Sequence, residues 1–201
     1  MKKLLIIIAT LLLSVQLHAQ DTLLLQRIKE ANMRTSSFES DLSRHLVSSE
    51  KTLNLKGRIV FISPDKLSAS FDNDTYLIIS GNRMKVDIGF FHGTFRIRKK
   101  GLMKSFANLF LYAFQGRCQD LADENNFYID TQVDEHFNTV ILTTKKKSFF
   151  GIGYKKAIFH FGLDDLLIKE LILNDYGNSL DTYRISNPIF NEQLDTSVFD
   201  L

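Results

Sequence analysis

Leu53-Asn54-Leu55-Lys56-Gly57-Arg58-Ile59-Val60-Phe61-Ile62-Ser63-Pro64-Asp65-Lys66-Leu67-Ser68-Ala69-Ser70-Phe71 holds two alternating runs around one turn. Leu53, Leu55, Gly57, Ile59 and Phe61 face one way, and Asn54, Lys56 and Arg58 the other. A period of two marks a strand with one buried face. Pro64-Asp65 makes the turn, and Leu67, Ala69 and Phe71 resume the alternation. Asp72-Asn73-Asp74 turns the chain again into Tyr76–Ser80, Gly81-Asn82 is a hairpin turn, and Met84, Val86 and Ile88 return. The segment reads as an antiparallel meander. Its shared phase predicts that Ile59, Phe61, Leu67, Phe71, Met84 and Val86 line one concave apolar face, with Leu55 at the rim.

Upstream, Asp21-Thr22 can cap a helix in which Leu24, Leu25, Ile28 and Ala31 recur at helical spacing, ending near Met33. Downstream, Arg98-Lys99-Lys100-Gly101 leads into Leu102, Met103, Phe106, Leu109, Phe110, Ala113 and Phe114, a helix with a broad apolar face. A less regular piece follows, and strands return at 127–133, 138–143, 156–162, 168–174 and 180–186. Asn187-Pro188 is expected to break the sheet, and Val198-Phe199 to form a short closing strand. About ten strands with two or three helices define a mainly β (α+β) domain. Its sheet should be a strongly curved antiparallel one, or an unclosed β-barrel, covered by a helical lid. A curved apolar sheet loosely closed by helices encloses a cavity; a well-packed sheet-and-helix core is the alternative.

Met1-Lys2-Lys3 precedes an unbroken apolar run from Leu4 to Leu13 and then Ser14 to Ala19. A positive start, an apolar stretch too short to span a bilayer and a small residue at the end describe a secretory signal. Residues 1–19 are therefore expected to be a signal peptide cut after Ala19, and 20–201 a single exported domain. Leu17 is large for its place, so the cut can shift, and an uncleaved anchor is the other reading. Once Lys2 and Lys3 are gone, 23 basic residues balance 23 acidic ones. That neutrality argues against nucleic acid as a partner. Cys118 is the only cysteine, so no internal disulfide forms. It reads as a packed small apolar residue, with a catalytic thiol as the alternative.

The chain lacks a Gly-x-Ser-x-Gly elbow, a Cys-x-x-Cys, a His-Glu-x-x-His and a phosphate-cradling glycine loop. His45, His92, His136 and His160 are scattered, with His160 on a sheet face, and the acid pairs Asp134-Glu135 and Asp164-Asp165 fall in turns. No catalytic residue, cofactor or metal site is expected, and the chain does not read as an enzyme. Two basic clusters remain: Arg96, Arg98, Lys99, Lys100 and Lys104, and Lys145-Lys146-Lys147 before Ser148-Phe149-Phe150-Gly151. They are either solvated loops or contacts for anionic headgroups or an acidic partner.

The order of several motifs resembles the outer-membrane lipoprotein carrier (LolA-like) family. They are Ser36-Ser37-Phe38-Glu39-Ser40-Asp41-Leu42 after the first helix, the Leu55–Leu67 strand pair with its proline, and the Leu77-Ile78-Ile79-Ser80-Gly81-Asn82 turn. Ile168 to Asn178 with Thr182-Tyr183-Arg184-Ile185-Ser186-Asn187 resembles the family's late hairpin, and Asn191, Leu194 and Phe199 its closing segment. The resemblance implies a monomeric periplasmic carrier that holds acyl chains of lipoproteins in an apolar cavity. It would take them from an inner-membrane releasing complex towards an outer-membrane acceptor. The alternatives are a same-fold carrier of another amphiphile, such as a glycolipid or polyene lipid, or a non-catalytic envelope adaptor. The family's arginine before the strand-joining proline, associated with holding the lid closed, is Ser63 here. Serine is short and neutral, so the lid is expected either to open more readily or to be held by packing of Phe106, Phe110 and Phe114.

Overall fold

The computed structural model describes residues 21–88, 91–99, 101–145, 154–191 and 194–201. The signal segment, Lys100, Lys146, Lys147 and Ser148-Phe149-Phe150-Gly151 lie outside the described residues. Helix α1 (21–33) precedes six strands: β1 (Ser37–Val47), β2 (Thr52–Ile62), β3 (Lys66–Phe71), β4 (Tyr76–Ser80), β5 (Arg83–Ile88) and β6 (Phe91–Arg96). Helices α2 (Leu102–Phe114) and α3 (Cys118–Asn125) follow, then β7 (Phe127–Val133), β8 (Phe137–Thr144), β9 (Tyr154–Gly162), β10 (Ile168–Asp175) and β11 (Leu180–Phe190). All eleven strands form one antiparallel sheet in the order β6-β5-β4-β3-β2-β1-β11-β10-β9-β8-β7. The first and last halves of the chain thus join where β1 pairs with β11, and β6 and β7 remain as the two edges.

The meander has the expected register. Phe61 pairs with Leu67, Leu67 with Ile79, and Ile79 with Met84, so their side chains share one face. That inner face continues across β1 and β11 through Leu42, Ile185 and Tyr183 to Leu171, Phe159 and Val140. Its residues and those of α2 form one buried cluster, so the sheet curls around the helix. At Gly57 an added Cβ would lie 2.0 Å from the Ser70 carbonyl oxygen, which marks a close backbone approach between β2 and β3.

Three expectations need correction. β1 and β6 are additional strands. On β1 the inward positions are Phe38, Ser40, Leu42, Arg44 and Leu46, so two polar residues hide the apolar alternation. Asn187-Pro188 does not end the sheet: β11 runs on to Phe190. Asn187 has φ 53°, and the register slips between Glu39 and Asp41, so the pair is accommodated as a bulge. The C-terminal tail adds no strand. Thr196–Phe199 is a 3-10 turn, capped by Asp195, beside β3 and β4. Phe199 is buried there with Lys66 Nζ 5.7 Å from its ring centre.

The turn acids serve the backbone. Asp134 accepts from the amides of His136 and Phe137, and Asp165 from that of Leu167. His160 stacks on Phe137 and lies 2.8 Å from Glu170, as a structural sheet-face histidine does.

Candidate functional site

Helix α2 decides what the inner face can do. Every residue from Phe106 to Gly116 is buried. The helix is enclosed on its polar side as well as its apolar one: Asn108 and Gln115 are buried with the phenylalanines. Phe114 packs on Phe38 and Phe61 with ring centres 5.3 and 5.9 Å away, and Phe110 stands edge-on to Tyr183 at 5.6 Å. Phe106 extends the row against Phe110 at 5.3 Å. The helix ends in a Schellman motif: Gly116, at φ 63°, and Arg117 donate their amides to Ala113 and Tyr112. Gly116 is also the point of closest approach to α1, where a Cβ would meet the Ile28 carbonyl oxygen at 2.7 Å.

Polar bonds hold α2 at its C-terminus and along its outer side. Gln115 Nε2 donates to the Pro64 carbonyl oxygen at 2.5 Å, joining the C-terminus of α2 to the β2–β3 turn. Ser63 is exposed, and its side chain has no partner among the described residues. The latch therefore comes from the helix to the strand turn, through an amide. Gln115→Ala should weaken the closed state by about 0.5–1.5 kcal/mol. Opening of α2, read as loss of amide-exchange protection, should then be favoured about two- to tenfold; unchanged protection would show that this bond does not hold the helix.

Glu124 on α3 clasps the outer side of α2. It accepts from Asn108 Nδ2 and the Tyr112 hydroxyl at 2.9 Å each, with Lys104 Nζ at 3.1 Å. Lys104 is thereby an ion-pair partner rather than part of a free basic loop. Partial burial would raise the Glu124 pKa, but the hydrogen bond from Tyr112 and the Lys104 charge outweigh it and hold the carboxyl below its usual range. A depressed folded value stabilises the clasp above the ordinary glutamate pKa of about 4.3, and this is lost as pH falls through the lower folded value. The protection factors of the α2 amides should therefore fall as pH drops below the ordinary glutamate range in the wild type, with a smaller fall in Glu124→Gln. Asp120 joins Arg117 at 2.6 Å and Lys29 of α1 at 3.1 Å, so the three helices are tied together.

A charged pair interrupts the apolar inner face. Arg44 of β1 is 6% exposed and Asp181 of β11 5%. Arg44 Nε and Nη2 donate to the two Asp181 oxygens at 2.9 and 2.8 Å, and the Tyr183 hydroxyl donates to Asp181 at 2.8 Å. Burial alone would lower the Arg44 pKa; the bonds to Asp181 reverse that and raise it. Nothing in the sequence pointed to this pair, because its members are 137 residues apart.

All seven residues expected on the concave face (Leu55, Ile59, Phe61, Leu67, Phe71, Met84 and Val86) are buried on the inner face. Among the described residues they pack against α2, the well-packed sheet-and-helix arrangement that was the alternative. The helix read as a lid fills the space itself. Among the spaces beside it are two small voids. One, of about 60 Å3, is lined by Leu102, Phe106, Leu109, Phe127, Leu142 and Tyr154 among others. The second, of about 20 Å3, is lined by Ile59, Leu67, Phe71, Phe110, Phe114 and Tyr183 among others. An apolar cavity of about 150 Å3 is enough only for benzene. Neither void holds an acyl chain while α2 is seated. Cys118 is wholly buried on α3, and burial pushes its thiol up, away from the reactive thiolate.

The fold and site define a curled antiparallel sheet plugged by an apolar helix. No family model matches the chain, and no curated protein matches its sequence. Solved structures similar to it include a DUF1329 family protein from Desulfovibrio piger, 15% identical over 88% of this chain and 94% of that one, with a TM-score of 0.47. Another is a LolA superfamily protein from Nitrosomonas europaea, 9% identical over 90% of this chain and 97% of that one, TM-score 0.44. A third is the lipoprotein LppX of Mycobacterium tuberculosis, 12% identical over 87% and 98%, TM-score 0.40.

Proposed function

We propose that this chain is a non-catalytic periplasmic carrier that binds acyl chains of lipoproteins between α2 and the inner face of the sheet. It would move them from the inner towards the outer membrane. The observation that carries the reading is an apolar helix seated on an apolar sheet face and held mainly by side-chain packing. Such a helix can be exchanged for another apolar body. Withdrawing Phe106, Phe110 and Phe114 into water costs about 1.5–3 kcal/mol each. A chain of about 16 carbons offers about 13 kcal/mol if fully buried and proportionately less if partly buried. The two quantities are of one order, so loading is favourable but reversible, as a carrier requires. In this reading the seven inner-face residues become the lining of the loaded cavity, and α2 is the lid.

The reading includes export: the segment up to Ala19 would be removed, leaving a monomer that starts near Gln20. The closing experiment is native mass spectrometry of the protein taken gently from the periplasm. An adduct with the mass of an acylated protein, on a chain lacking residues 1–19, is the expected result. An adduct of a free glycolipid or polyene lipid would redirect the reading to another amphiphile. Failure of the purified protein to bind any fluorescent fatty acid would leave an envelope adaptor instead.

A further inference from the structure

Outside the core, the register assembles a second apolar set on the outer face of the β7–β11 half. Ile141 pairs with Ile158 and Ile158 with Ile172, so three isoleucines of β8, β9 and β10 stand side by side. They alternate with Leu142, Ala157 and Leu173 of the core cluster, and so face away from it. The three are half-buried, and none belongs to that cluster or to the residues packed against it. Two residues along each strand, the next row on this face runs Val47, Leu180, Asn174, Lys156, Thr143 and Tyr128. Val47, Leu180 and Tyr128 are exposed, Tyr128 to 63%.

The rim of this set is cationic. Lys156 stands in the row itself, Lys155 donates to Asn178 Oδ1, and Lys145 Nζ lies 4.9 Å from the centre of the Tyr128 ring. None of the three lysines forms an ion pair among the described residues. The acid that the two rows carry is Asp130, at the β7 edge. Exposed tyrosine and leucine beside unpaired lysines suit the boundary between water and an anionic bilayer. The ammonium groups reach headgroup phosphates while the stems and rings enter the boundary. The sheet curls around α2, so this face is convex. A convex face presents projections rather than the pockets that protein anchors fill, and a bilayer yields to small apolar projections.

We infer that this corner of the sheet is a docking surface for an anionic lipid bilayer. Lys145, Lys155 and Lys156 meet the headgroup phosphates, and Val47, Leu180 and Tyr128 enter the boundary between headgroups and acyl chains. Lys156 also lines the void near the start of α2, beside Leu102 and Tyr154. Docking therefore brings the bilayer to the end of the sheet where that void lies. The inference goes beyond the carrier reading, because this surface exists with α2 seated.

The test is co-sedimentation of the exported chain with vesicles of phosphatidylcholine, alone or with about one-third phosphatidylglycerol. Binding to the anionic vesicles should be about tenfold tighter or more, and should weaken as salt is added. Each lysine near an anionic surface is worth about fivefold, so Lys145→Gln/Lys155→Gln/Lys156→Gln should lose about a hundredfold. Lys56→Gln/Arg83→Gln/Lys85→Gln, on the β2–β5 half, should lose less than about threefold through net charge alone. The chain has no tryptophan, so Leu180→Trp supplies a single indole reporter. Its emission should shift to the blue on anionic vesicles and stay unchanged on phosphatidylcholine. Equal losses in the two triple variants, or an unshifted Leu180→Trp on vesicle-bound protein, would overturn the docking surface. Absence of vesicle binding would overturn it too; retention on immobilised poly-glutamate would then assign the face to an acidic protein, and a dimer in sedimentation to a second copy. Loss of acyl-probe binding with docking intact would strike the carrier reading and leave this inference standing.

Discussion

Phe114→Ala is expected to lower the stability of the protein by about 3–5 kcal/mol, the usual cost of removing a buried phenylalanine. Its ring is packed between Phe38 and Phe61 and is 5% exposed, and it sits one residue before the Gln115 latch. The midpoint of thermal unfolding should fall by roughly 6–20 °C. In a carrier the same change also weakens the closed state relative to the loaded one. Acyl-probe affinity should then rise in Phe114→Ala although the protein is less stable. A fall in affinity matching the fall in stability would mean that Phe114 belongs to the core in both states and that α2 does not leave the sheet.

The second large effect concerns the buried ion pair. Asp181→Leu alone should cost about 3–5 kcal/mol, because it leaves the Arg44 guanidinium buried and uncompensated. Adding Arg44→Met removes the stranded charge, so the double variant should regain most of the loss or exceed the wild type. Urea denaturation of the two singles and the double completes the cycle. If the double variant were as unstable as the sum of the singles, the pair would be holding β1 to β11 on its own. The expected rescue means instead that stability does not require the pair.

Much of the sheet was legible because it is local. Gly81-Asn82, Asp72-Asn73-Asp74 and Asp175-Tyr176-Gly177-Asn178 each sit at the tip of a hairpin, with Gly81, Asp74 and Asn178 at positive φ. Neighbouring strands joined by such turns inherit their register, so the phase of Ile59 in β2 predicted the faces of Leu67 and Met84. β1 escaped notice because its inward set includes Ser40 and Arg44. The bulge at Asn187 escaped because a proline reads as a strand end unless the partner strand is known.

The candidate site divides the same way. Phe106, Phe110 and Phe114 lie at a spacing of four residues, so a short-range period was enough to place them on one face of one helix. Whether that helix covers a cavity or fills it depends on how tightly eleven strands curl, which is a sum of twists that no local pattern records. The Gln115–Pro64 bond and the Arg44–Asp181 pair close over 51 and 137 residues. The sequence by itself determined the strands, their faces and the apolar helix, because period and turn chemistry act between near neighbours. Only the tertiary structure decided that the helix is the plug, that a glutamine latches it and that a charged pair lies beneath it. Those contacts join side chains brought together only when β11 completes the sheet against β1.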